Sequence, residues 1–129
     1  MAAAYTLRKL TDVQDAAAGV GLEGVQEARF AKDALDAADT GVSHHRIKPG
    51  MRQPFGHRHV DAEEIYVVLA GSGRVKLDEE VLEIGPLDAI RVAPRVMRAF
   101  EAGPEGLEVL AFGPRHDGDG ELVQGWWGD

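Results

Sequence analysis

The chain has 129 residues, enough for one domain, which at this size buries roughly two-thirds of the surface its unfolded form exposes. Its 22 acidic against 14 basic side chains give a formal charge of −8, and Arg8-Lys9 is the only adjacent basic pair, which argues against nucleic acid as a partner. The absence of cysteine removes disulfides, thiolate metal sites and thiol nucleophiles, and suits a reducing compartment, so a cytoplasmic location is expected.

The N-terminus, MAAAYTLRKLTDVQD, lacks a basic segment followed by a long apolar run, and nowhere do about 18 apolar residues occur together. Neither secretion nor membrane contact is therefore expected. Thr11 is placed to cap a short helical turn through Ala18, and Lys32 to Ala38 can form another. Between them, Val25 to Ala31 can equally be an edge strand of the kind that pairs with a second subunit.

From residue 40 onward the pattern becomes that of short strands. Runs rich in β-branched and apolar residues cover Val42 to Ile47, Ile65 to Leu69, Arg74 to Leu77, Val81 to Ile84, Ala89 to Val92 and Leu107 to Phe112. Pro49-Gly50, Gly71-Ser72-Gly73, Gly85-Pro86, Gly103-Pro104, Gly106 and Gly113-Pro114 punctuate them. Spacing of this kind predicts an all-β barrel or sandwich. The chain reads as one domain over 1–129, with an N-terminal strand and turn extension at 1–39, a barrel core at 40–113 and a C-terminal tail at 114–129.

The segment PGMRQPFGHRHVDAEEIYVVLAGSG, residues 49–73, carries the chemistry. Side chains alternate faces along a strand, so His57 and His59 project together and Arg58 projects oppositely. After a turn at Val60 to Glu63, a returning strand puts Glu64, Tyr66 and Val68 on one face, while Glu63, Ile65 and Val67 share the other. Two neutral imidazoles and a carboxylate are ligands that suit a first-row metal, and three of them on one side of an ion leave positions open.

This segment resembles the first motif of the cupin family: a glycine, a gap, His-x-His, a few residues, Glu, six residues and Gly. Gly50, His57, His59, Glu64 and Gly71 match in order, with six residues rather than five between Gly50 and His57. The resemblance covers about residues 40–113 and implies a double-stranded β-helix, or jelly-roll, barrel. It further implies one divalent transition metal (Fe, Mn, Ni, Cu or Zn) held by His57, His59 and Glu64, a small-molecule ligand or substrate, and a homodimer.

The second cupin motif departs from its pattern. Its turn is recognisable at Ala93-Pro94-Arg95, but Arg98 stands where the fourth histidine ligand is found, and an arginine does not lose its proton to bind metal. Arg98 can instead pair with Glu64, or hold a substrate carboxylate or phosphate. Two functions follow from different classes. One is a metal-dependent oxygenase, isomerase or lyase in which Arg98 or Tyr66 orients substrate, and the other is a non-catalytic small-molecule binder with a vestigial or absent metal.

His45 shares parity with Ile47 and is a candidate additional ligand or proton shuttle, with His44 facing away. Tyr66, Phe100 and Met51 fall where such barrels line their cavities, and plain packing is the alternative for each. His116 lies in a glycine-rich tail and is expected to be solvated. Trp126 and Trp127, close to the C-terminus, are too large to leave wet and should pack on the barrel or on a second subunit.

Overall fold

A computed structural model describes residues 4–114 and 118–128. The expected alternation is realised as eight strands: β1 (Gln26–Phe30), β2 (Thr40–Ile47), β3 (Phe55–His59), β4 (Glu64–Leu77), β5 (Glu80–Ile84), β6 (Ala89–Val92), β7 (Arg98–Pro114) and β8 (Gly120–Gln124). All pairings are antiparallel, and the sheet runs β1-β2-β7-β3-β8, with β4 pairing β5, β6 and β7. Strand β7 is thus the spine, binding β2, β3 and β4 along its length, and the sheet curls into an all-β jelly-roll barrel.

Two glycine clusters expected to end strands lie inside long bent ones. Strand β4 passes through Gly71-Ser72-Gly73 and β7 through Gly103 to Gly106, with shifts of register between Val68 and Ala70 and between Gly71 and Gly73. The reason is close backbone approach. Gly71 has φ +82°, and a Cβ there would stand 2.0 Å from the Gly106 carbonyl oxygen, so only glycine lets the two strands stay paired through the bend.

The outer segments also belong to the sheet. The 1–39 extension contributes β1, which lies on the β2 edge as one of the two expectations held, while Lys32 to Ala38 forms turns rather than a helix. Among the described residues, helical structure is limited to single 3₁₀ turns at Leu10–Asp12 and Ala18–Val20. Asp15 ties this segment down by accepting N–H bonds from Ala17 (3.0 Å) and Ala28 (2.9 Å). The C-terminal tail beyond the 40–113 core supplies β8, which pairs with β3 residue for residue from Phe55 with Gln124 to His59 with Gly120. Its alternation is weak because every residue of β8 is exposed, leaving little apolar pattern to read.

Inward-facing side chains of β2, β4, β5, β6 and β7 form the core: Ile47, Tyr66, Val68, Val75, Ile84, Val92, Phe100, Leu107 and Val109. Trp126 and Trp127 pack on the barrel, where Lys76 and Arg52 lie over their rings at 4.4 and 4.5 Å and the Trp127 indole N–H donates to the Gln53 carbonyl at 3.0 Å. Trp126 sits against the back of β3, so close that a Cβ on Gly56 would meet its Cγ at 2.6 Å. Among the described residues, no helix is long and apolar enough to cross a membrane.

Candidate metal centre

Strand parity places the motif as the sequence predicts. His57 and His59 leave the inner face of β3 with rings 5.5 Å apart and nearly perpendicular, while Arg58 points out to Glu121. Glu64 opens β4 opposite them, its Oε1 lying 3.6 Å from His57 Nε2 and 3.2 Å from His59 Nε2. Glu63 is exposed and pairs outward with Arg91, as its parity requires.

The ligand atoms of His57, His59 and Glu64 all lie within 4.8 Å of one another, the one such group among the described residues. Two ligands about 2.0 to 2.2 Å from a shared ion are separated by roughly 3.0 to 3.4 Å, so the observed spacing needs little adjustment to accept one. His59 Nε2 is buried and, although 3.2 Å from Glu64 Oε1, makes no aligned hydrogen bond, so its lone pair can be given to an ion. The residues therefore fit a metal.

A residue that sequence reading missed stands behind His59. The buried Asp119 has Oδ2 3.4 Å from His59 Nδ1, and its carboxylate accepts N–H bonds from Val60, Asp61 and Ala62 at 2.8 to 3.1 Å. Although burial opposes the charge, those three N–H groups and His59 hold its pKa below the ordinary value. A carboxylate on Nδ1 favours the tautomer with Nε2 free. The available signal was Gly118-Asp119-Gly120, since an aspartate between glycines is the composition of a turn that captures backbone N–H groups.

Glu64 is likewise a fixed anion. Burial works to raise its pKa, but His57, His59 and the Tyr66 hydroxyl, which donates to Oε1 at 2.5 Å, outweigh it and hold the carboxyl far below the usual range. Tyr66 is pushed the opposite way, by burial first and by the Glu64 charge second, so its proton stays in place. The Tyr66 oxygen also lies 3.3 Å from His57 Nε2.

Arg98 opens β7 directly across from His57 and is completely buried. One terminal nitrogen donates to the Ala93 carbonyl at 3.1 Å, the other lies 3.9 Å from Glu64 Oε1, and its Nε and Nη1 lack hydrogen-bond partners. It is not among the described residues that line the cavity beside Glu64. Met51, 44% exposed, is off that wall too, whereas Tyr66 and Phe100 line it with rings 5.0 Å apart.

His45 faces the cavity beside Ile47, and His44 points to the other face, 2.6 Å from Glu108. His45 Nε2 lies 2.8 Å from Ser43 Oγ, and burial, then the neighbouring His57, lowers its pKa to about 4. It stands outside the three-residue cluster of His57, His59 and Glu64. His116 falls outside the described residues.

No family model matches the chain. An uncharacterized protein of Methanocaldococcus jannaschii is 32% identical over 71 residues, which are 53% of this chain and 57% of that protein, so the match spans little more than half of its length. A cupin protein of Bacteroides fragilis superposes with a TM-score of 0.71 at 25% identity, over 91% of this chain and 89% of that one. The polyketide cyclase RemF of Streptomyces resistomycificus gives 0.73 at 22% identity, covering 92% and 84%. Oxalate decarboxylase of Bacillus subtilis gives 0.71 at 20% identity, covering 92% of this chain but 32% of that one. A jelly-roll barrel carrying His-x-His on β3 and its glutamate at the head of β4, with these likenesses across nearly the whole chain, shows that the chain has the fold of a small cupin domain.

Proposed function

We propose that the protein is a metal-dependent cupin acting on a small molecule inside its barrel, as an oxygenase, isomerase or lyase. The observation that carries this reading is His59 Nε2, a buried nitrogen without a partner, aimed at Glu64 and backed by Asp119 on its other nitrogen. His57, His59 and Glu64 hold one divalent transition ion, which when bound supplies Lewis acidity at coordination positions that the protein leaves open. Tyr66, protonated and hydrogen-bonded to Glu64, fixes that carboxylate and presents its hydroxyl to the cavity. His45, neutral at physiological pH, is positioned to accept or return a proton from a bound molecule.

A second reading, a binder without catalysis, is favoured by Arg98. A buried guanidinium beside Glu64 adds positive charge where a fourth histidine would have bound the ion, which weakens cation binding.

Metal per chain, measured by inductively coupled plasma mass spectrometry on protein purified without a metal-binding tag, separates the two. Near-stoichiometric metal in the native chain, lost in the His57→Ala/His59→Ala variant, is the expected result. No metal in either, even after reloading with each ion, would leave a metal-free binder.

A further inference from the structure

Beside the ligand cluster lies a chamber of about 540 Å³, a volume typical of small-molecule sites. Its walls are mainly apolar side chains from five parts of the fold: Leu22 from the N-terminal segment, Phe30 from β1, Ile47 from β2, Phe100 and Val109 from β7, and Leu122 from β8. Among the described residues no lysine or arginine lines it, its charged side chains being Glu64 and Glu121, while Lys32 stands in the wall of an adjoining cavity that shares His59 and Glu64.

Most polar groups on the wall are already engaged with one another. Gln53 donates to Gln26 Oε1 at 2.9 Å and accepts the Phe100 N–H at 3.0 Å, and Ser43 is bonded to His45. Capacity remains on His45 Nδ1 and His59 Nε2, both buried without partners, and on the Tyr66 hydroxyl between His57 and Glu64. Ser43, bonded to His45, and Tyr66 are both register partners of Ala111 on β7, so these groups stand together at one end.

We infer that the ligand is a neutral, mainly apolar molecule of one or two rings, presenting a single hydroxyl, enol or carbonyl oxygen to the His45, Tyr66 and His59 end. A phosphate or second carboxylate would lie against carbon with no cation, and each sugar hydroxyl along the wall would lose its hydrogen bonds to water without replacement. The ligand class rests on the proposed metal reading only for what meets that oxygen at the polar end; the apolar body is selected by the walls alone.

Isothermal titration calorimetry with 1-naphthol, 1-naphthyl phosphate and glucose 6-phosphate, on protein stripped with EDTA and on metal-loaded protein, tests this. The expected result is 1-naphthol binding in both forms, with naphthyl phosphate at least tenfold weaker in the stripped protein and no glucose 6-phosphate binding. Leu22→Asp and Phe30→Asp, both at partly exposed wall positions that leave the core intact, should each weaken 1-naphthol at least tenfold while circular dichroism stays native. Naphthyl phosphate binding as tightly as naphthol in the stripped protein, no naphthol binding in either form, or indifference to both substitutions would overturn the inference. Naphthol binding by protein that takes up no metal would sustain the ligand class and sink the metalloenzyme reading.

Discussion

His45 should make the protein acid-sensitive in a window where most carboxylates are still ionised. In the unfolded chain a histidine takes up a proton near pH 6.5, whereas in the folded barrel burial and the adjacent His57 hold His45 neutral down to about 4. The unfolded state therefore binds more protons between those limits, so stability is full above the unfolded pKa and falls as pH drops toward the folded one. Integrating that difference from about pH 7.5 to about pH 5 gives a loss of about 2 kcal/mol from this one group. With a urea slope of roughly 1.5 kcal/mol/M, the unfolding midpoint of metal-free protein should shift down by about 1 M more in the native chain than in His45→Gln, which keeps a polar side chain but does not titrate. Urea melts of both proteins at the two pH values, with EDTA present, measure the difference. Equal shifts in both would show that His45 is reached by water and that the barrel interior does not hold it neutral.

Asp119→Asn should lower metal affinity roughly 10- to 100-fold, read by competition with a chromogenic chelator, because an amide nitrogen beside His59 Nδ1 no longer favours the tautomer that frees Nε2. Arg98→Met should raise that affinity by removing a buried cation 3.9 Å from Glu64, and unchanged affinity would mean the guanidinium is electrostatically silent there. Gly56→Ala forces a Cβ to 2.6 Å from Trp126 Cγ and 2.9 Å from Met97 Cγ. It should cost about 1–3 kcal/mol. That is a melting-temperature loss of roughly 3–15 °C, with red-shifted tryptophan emission, against no change for Gly24→Ala, which meets nothing within 4 Å.

What the sequence made legible was what strand parity controls. Alternation alone put His57 and His59 together, turned Glu64 and Tyr66 toward them, sent Glu63 outward and separated His45 from His44. The pieces that escaped depend on contacts between distant segments. Glycines at 71, 73, 103 and 106 read as turns because their composition is that of turns, yet they serve close passage of β4 against β7, a relation that exists only once both strands are paired. Asp119 escaped for the same reason: its partners Val60, Asp61, Ala62 and His59 lie about 60 residues away, joined to it by the pairing of β3 with β8. The N-terminal segment looked like an appendage, and its role as a chamber wall follows from Asp15 pinning it to β1.

Arg98 changes the charge of the site as well as its ligand count. In the four-ligand arrangement that the cupin resemblance implies, a glutamate and three neutral histidines leave one net positive charge with a divalent ion. Here Glu64 and the fully buried Arg98 cancel one another first, so the same ion would carry both of its charges into an interior that screens them poorly. Two opposing effects follow: the protein's own hold on the ion is weaker, and the pull of the ion on an electron-rich oxygen is stronger. The chamber would fit that pairing, since its described walls supply no cation and an ion held by His57, His59 and Glu64 would be the place where a developing negative charge is stabilised. A neutral ligand whose oxygen gains charge during reaction is served by such a site, whereas a ligand charged elsewhere gains nothing from it. On the proposed reading, Arg98 in place of a fourth ligand and the apolar walls therefore favour the same kind of molecule.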